Sequence, residues 1–194
     1  MVEDAETFAG NATKKAVELA KWLNIQHSTF NIQHQRPDFV LADDSGLEVD
    51  ALNGAPGVHS ARFARSADGS SASSTENSAD VDNNAKLLRL LKDVPLEKRT
   101  GRFHCVIALV PVPQGKVESA SPVCYADEFE AQVFDGQCEG RIRFSASGQG
   151  GFGYDPLFVP DGFKESFAEL GEDVKNQMSH RAKALGKLKS ALCA

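Results

Sequence analysis

The chain has 194 residues, of which 41% are hydrophobic and 25% charged, and carries a formal net charge of −6 at pH 7. That is the size of one full domain with ordinary globular composition. The acidic balance excludes a duplex nucleic-acid surface but not a small anionic ligand held by a few lysines or a metal. The acidic start "MVEDAETF" is not a secretory leader, and no apolar run approaches a membrane span, so a cytoplasmic location and no membrane partner are expected. Cys105, Cys124, Cys138 and Cys193 form no C-x-x-C pair, which predicts buried free thiols rather than a zinc site or disulfides.

Taken in chain order, residues Glu6 to Leu23 read as a helix, with Phe8, Ala12, Ala16, Leu19, Ala20 and Leu23 on its apolar face. A polar connector, "NIQHSTFNIQHQRPD", ends past Pro37, and "FVLA" (Phe39 to Ala42) reads as a short buried strand ending at "DDSG". Ser66 to Asp82 is a serine- and aspartate-rich surface loop. "NNAKLLRLLKDVP" follows as a helix starting near Asn83 or Asn84, with Leu87, Leu88, Leu90 and Leu91 as core and Pro95 as its stop. "RFHCVIALVPV" is a strand, "CYADEFEAQVF" another, and "DGQCEGRIRF" a turn into a further one. Lys175 to Leu192 closes the chain as one amphipathic helix. Strands and helices mixed without a strict βαβ rhythm give the fold class α/β, a mixed sheet flanked by helices.

Four stretches carry candidate chemistry. Gly148, Gly150 and Gly153 of "GQGGFGYDPLF" satisfy G-x-G-x-x-G, but Pro156 and the β-prone Leu157–Val159 behind them describe a loop entering a strand. The dinucleotide fingerprint needs a helix there, so that reading fails. In "ADDSGLEVD", adjacent Asp43 and Asp44 point to opposite faces of an extended segment, so only one can face a given site. Such a carboxylate can hold Mg²⁺ or act as a general base toward water, or else be a solvated Asx turn, and both readings stay open from this segment alone. "NGAPGVHSARF" reads as a stiff turn with one structural arginine, Arg62. In "KNQMSHR", Lys175, His180 and Arg181 fall at the start of the last predicted helix, where cations oppose the macrodipole unless an anion or polar ring binds nearby.

Together these stretches resemble the inosine/xanthosine triphosphate pyrophosphatases. D-D-S-G, S-A-R, G-G-F-G-Y-D-P and S-H-R occur in that family's order, from about Glu3 to the C-terminal helix. The resemblance implies an elongated sheet with two lobes around a central nucleotide cleft, and a homodimeric assembly. It implies Mg²⁺-dependent hydrolysis of ITP, dITP and XTP to the monophosphate and pyrophosphate. Asp44 would be the base, Glu3 and Asp44 the metal ligands with Asp4 as a neighbour, and Ser45 a substrate contact. Phe152 and Tyr154 would wall the purine, Gly153 would admit it, and Asp155 would orient it. Lys175 would lie near the nucleotide, while His180 and Arg181 would read the six-position oxygen. Asn11 and Lys15 match the family's N-A-x-x-K-A and would reach the phosphates.

The family opens with a strand and a T/S-x-N-x-x-K segment, and nothing before Glu3 matches them. The expectation is therefore a single domain over residues 1–194, N-terminally truncated relative to the family. Two alternatives accompany it: a nucleotide-binding homologue with impaired catalysis, and a pyrophosphatase of pyrimidine preference.

Overall fold

The computed structural model describes residues 3–30, 37–65, 77–112 and 129–193, with residues 25–30 described by backbone alone. Its elements are α1 (Phe8–Phe30), β1 (Phe39–Val49), α2 (Asp80–Leu90), β2 (Thr100–Pro111), β3 (Gln132–Ile142), β4 (Phe158–Pro160), α3 (Phe167–Met178) and α4 (His180–Leu192). The strands form one sheet in the order β1-β2-β3-β4. The last pair is antiparallel, with Arg141 opposite Val159. The α/β class therefore holds. Two compact units are present, Met1–Asp44 with Val106–Phe134, and Ser45–Cys105 with Asp135–Ala194.

In the first unit, α1 buries Phe8, Ala12, Ala16 and Ala20. These recur every four residues and so share one helical face. The helix continues to Phe30, past the connector expected from residue 24, while residues 31–36 lie outside the described residues. Leu19 falls off the buried face and is exposed. β1 is also longer than the expected four residues and runs straight through Asp43, Asp44, Ser45 and Gly46. The Asx-turn reading is thereby overturned. The start of β1 is not fully buried either: Val40 is buried while Phe39 and Leu41 are exposed, the alternation of a strand with one covered face.

The second unit has a core of Leu47, Val49, Phe63, Leu87, Leu91, Phe103, Ile142, Tyr154, Leu157, Phe158 and Phe167, among others. Each large apolar side chain buried there contributes roughly 1.5–3 kcal/mol against exposure. α2 begins at Asp80, inside the segment expected as loop, and residues 66–76 of that segment lie outside the described residues. Asp80 and Asp82 in its first turn suit the positive end of the helix dipole. Leu87 and Leu91 are buried, but Leu90 is exposed because it lies about 100° from the core face.

β3 replaces the expected turn at Asp135–Gly136 with continuous strand. A Cβ on Gly136 would lie 2.1 Å from the carbonyl oxygen of His180, so this glycine permits close approach of α4 rather than a turn. Of "CYADEFEAQVF", residues up to 128 lie outside the described residues. The single C-terminal helix is instead two. Ser179 breaks it with an extended backbone and caps α4, its Oγ accepting the Ala182 N–H at 3.2 Å. Lys175 therefore sits in the last turn of α3, where a cation is favourable, while His180 and Arg181 open α4. Cys105 and Cys138 are buried free thiols, Cys193 is a free but exposed one, and Cys124 lies outside the described residues.

Arg99 is a structural residue that no sequence pattern announced. It is 2% exposed, and its guanidinium donates to the carbonyls of Val94, Leu91 and Arg143 at 2.9, 2.6 and 2.8 Å. Its face lies 4.0 Å from the Phe144 ring centroid. One side chain thus donates to three carbonyls at once, a use that the fixed fork of arginine suits.

Candidate active site

Within the first unit, an acidic cluster forms where α1 meets residues 43 and 44. Lys15 on α1 donates to Asp44 Oδ1 at 2.7 Å and to the Asp43 carbonyl at 3.1 Å, and pairs with Glu3 Oε1 at 2.7 Å. Asn11, fully buried one turn earlier, donates from Nδ2 to Asp44 Oδ2 at 3.3 Å. Its Oδ1 accepts the Ala5 N–H at 3.0 Å, which ties down the segment carrying Glu3. Asp4 points elsewhere, to Lys14 at 2.6 Å.

Burial pushes the Asp44 carboxyl above the ordinary aspartate range, with Lys15 and Asn11 offsetting part of the effect. Burial alone would lower Lys15, but its hydrogen bonds to Asp44 and Glu3 prevail and hold it above the usual lysine value. Lys15 is thus a charged internal counterion to two carboxylates. An ionised carboxylate has about four acceptor directions, so Asp44 retains capacity for a water beside its two bonds.

Within the second unit, residues 151–155 make a tight loop. Asp155, 3% exposed, accepts the Phe152 N–H at 2.9 Å and the Lys175 ammonium at 2.5 Å on the same oxygen. Lys175 also sits 4.8 Å from the centroid of the Phe152 ring, whose face is largely exposed. A Cβ on Gly151 would lie 2.2 Å from Asp155 Oδ2, so this carboxylate needs glycine beside it.

Tyr154, expected as part of the aromatic wall, lines the cavity described below and also packs into the core. It is a core residue, and its hydroxyl donates to the Ser60 carbonyl at 2.9 Å. Burial raises its phenol well above the ordinary tyrosine range, so it stays neutral. The Ser60 hydroxyl accepts the Leu47 N–H at 2.9 Å and donates to Gly57, fixing the chain just past Ser45.

A cavity of about 150 Å³ is lined by Ser45, Ser60, Asp80, Phe103, Phe152, Gly153, Tyr154, Asp155 and His180. His180 is buried and stacks on Phe103, with centroids 4.9 Å apart and planes 15° apart. This holds one face of the imidazole against Phe103, which lines the same cavity. Arg181 and Lys175 do not line this cavity. They line a wider depression of about 390 Å³ that shares Phe152 and His180 with it. Arg181 donates weakly to Ser45 Oγ at 3.4 Å.

The second unit thus gathers Ser45, Phe152, Gly153, Tyr154, Asp155, Lys175, His180 and Arg181, and the first gathers Glu3, Lys15 and Asp44 with Asn11. Sequence reasoning passed over Asp80, which lies in a run of small polar residues indistinguishable from loop. It treated Asn84 only as a helix start.

The chain matches the Ham1 family over residues 1–191. A dITP/XTP pyrophosphatase of Desulforamulus reducens is 46% identical over 185 residues, covering 95% of this chain and 73% of that protein. One from Opitutus terrae is 43% identical over 188 residues, covering 97% and 75%. Among solved structures, the Staphylococcus aureus Ham1 protein superposes with a TM-score of 0.72 at 35% identity, over 98% of this chain and 78% of that one. With near-complete coverage in sequence and in fold, this chain belongs to the Ham1 family.

Proposed function

We infer that this protein is a pyrophosphohydrolase of non-standard purine nucleoside triphosphates, cleaving ITP, dITP and XTP to the monophosphate and pyrophosphate. The observation that carries the reading is the purine-sized cavity with its flat neighbours Phe152 and His180, in a chain whose relatives are named dITP/XTP pyrophosphatases. Phe152 offers an exposed π-face for stacking. The His180 imidazole, with Arg181 from the adjoining depression, supplies donors for an oxygen at the six-position. Adenine presents an amino group there, leaving a donor unpaired at a cost of about 1–3 kcal/mol, more where the donor is charged. Lys175 and Asp155 hold one another and keep the loop in shape. Ser45 contributes a hydroxyl beside Arg181.

Asp44 acts as the general base. Its raised pKa makes it a stronger base than a solvated aspartate, while Lys15 and Asn11 favour its ionised form. The donor set also fits a hard cation. Glu3 and Asp44 converge on one ammonium at 2.7 Å each, which shows that a single positive charge satisfies both carboxylates. Mg²⁺ is commonly bound through one or two carboxylates together with phosphate oxygens, a mode this pair suits. Glu3 and Asp44 would hold it, and when bound it neutralises charge on the phosphates. Lys15, no longer needed as the carboxylates' counterion, would donate to a phosphate oxygen.

The family resemblance supports a homodimer acting in the cytoplasm. No described helix is long and apolar enough to cross a membrane. The test is pyrophosphate release from ITP, dITP, XTP and ATP by the purified chain with Mg²⁺ and with chelator, alongside its mass in solution. Equal turnover of ATP and ITP, or release of inorganic phosphate alone, would overturn the reading.

A further inference from the structure

The first turn of α2 reaches across to the aromatic loop and grips one residue of it on both sides. Asp80 Oδ2 accepts the Gly153 N–H at 2.7 Å, and Asn84 Nδ2 donates to the Gly153 carbonyl at 2.9 Å. Asp80 and Asn84 are four residues apart and so stand on one helical face, spaced to meet both polar groups of one residue. The Asn84 Oδ1 is buried with no hydrogen-bond partner among the described residues. Turning the amide over would set two oxygens against each other at Gly153. The side chain is therefore held in the orientation that serves the loop, at the cost of its own acceptor.

Gly153 is where the loop needs such a grip. Its φ is +60°, and a Cβ there would meet nothing within 4 Å, so neither sterics nor packing fixes its backbone. Glycine is the residue with the widest choice of conformation, and an ungripped one here would let its neighbours swing. On one side, Phe152 is held through its N–H by Asp155. On the other, Tyr154 is held through its hydroxyl by Ser60. Among the described residues, the hydrogen bonds on Gly153 between them come from α2.

We propose that Asp80 and Asn84 are positioning residues for the purine site, clamping Gly153 so that the Phe152 ring is presented to the base in one orientation. This rests on the reading of the cavity as a purine site. The clamp works through hydrogen-bond acceptance at Asp80, not through its charge.

The test compares Asp80→Ala, Asp80→Asn and Asn84→Ala with the parent chain. It uses steady-state kinetics on ITP and amide hydrogen exchange of the 150–156 segment. Asp80→Ala and Asn84→Ala are expected to speed exchange in that segment and to raise KM for ITP by about fivefold, the equivalent of one hydrogen bond, with kcat within about twofold. Asp80→Asn keeps an acceptor for the Gly153 N–H and should restore parental KM and exchange.

An Asp80→Asn variant as impaired as Asp80→Ala would overturn the clamp in favour of a direct role for the charge. Faster exchange with unchanged KM would show a clamp that does not position the ring, and would overturn the proposal too. A parent chain that releases no pyrophosphate from any purine triphosphate overturns the functional reading, and this inference with it. An active parent whose Asp80→Ala variant is unaltered in both measurements overturns this inference alone.

Discussion

Asp44 and Asp155 are both buried aspartates bound to a lysine, Asp44 to Lys15 at 2.7 Å and Asp155 to Lys175 at 2.5 Å. They differ in what else holds them. Asp155 also accepts a backbone N–H, that of Phe152, from the loop to which it belongs. Among the described residues Asp44 has only side-chain partners, the ammonium of Lys15 and the amide of Asn11. A carboxylate tied to backbone is fixed by the same loop it fixes, so moving it unmakes the loop. One tied only to side chains can exchange a partner for water or a cation without disturbing its strand. The first arrangement suits a pocket wall and the second a reacting group.

The sharpest way to break this contrast is to neutralise each aspartate in turn. Asp44→Asn keeps the shape and should lower kcat by roughly 10²–10⁴-fold, the usual range for losing a general base. The thermal midpoint should change little, because Lys15 still has Glu3. Pyrophosphate release near the parental rate would remove Asp44 from the chemistry.

Arg181→Ala should narrow the preference for ITP over ATP by roughly tenfold, as expected for one charge-assisted hydrogen bond. Phe152→Leu should weaken both nucleotides about equally, since any purine stacks. Kinetics of both variants on both nucleotides separate reading from stacking. An unchanged ratio in Arg181→Ala would move base discrimination to His180 or to the main chain near Asp155.

Asp155→Asn should be the milder partner of Asp44→Asn. It retains an acceptor for Phe152 and loses only the charge facing Lys175, so KM should rise about fivefold with kcat nearly unchanged. Gly151→Ala should reproduce that rise in KM, because the added Cβ displaces the same carboxylate. If instead Asp155→Asn lost kcat as steeply as Asp44→Asn, the two aspartates would not be divided as described here.

The smallest effect concerns pH. Asp44 must be ionised to act, and its pKa lies above the ordinary aspartate range. Activity should therefore fail on acidification at a higher pH than a solvated aspartate would give. Lys15→Met removes an influence that lowers this pKa, so the acid limb should move further up. A limb that stays in place would show that Lys15 does not act on the base.

For stability the sign runs the other way. The native carboxyl binds its proton more readily than the unfolded one, so stability falls as pH rises across the gap between the two values. The raised pKa of Lys15 adds stability that is present below the ordinary lysine value and is lost as pH climbs through the native one.

Most of the candidate site was legible as local sequence. The run from Gly148 to Phe158 declared itself a loop entering a strand because a proline and a β-prone run follow the glycines, and β4 begins at Phe158. Tyr154 was harder to place. Its ring looks like a ligand wall in sequence, and only the core formed with Leu47, Phe63 and Leu157 shows that it also supports the loop from beneath. Boundaries failed where burial overrides propensity. "DDSG" has turn composition, yet it lies within a strand whose other residues pair and pack.

By itself the sequence determined the class of elements, which follows from local periodicity and turn chemistry, while the aromatic loop and the acidic pair were marked by the linked motifs that resemble the family. Only tertiary structure decided which groups satisfy one another. Lys15 as counterion to Glu3 and Asp44, Arg99 as the partner of three carbonyls, and the Asp80 and Asn84 grip on Gly153 join residues 5 to 73 positions apart. No local pattern encodes such pairings, since they exist only once a buried polar group must find a partner in place of water.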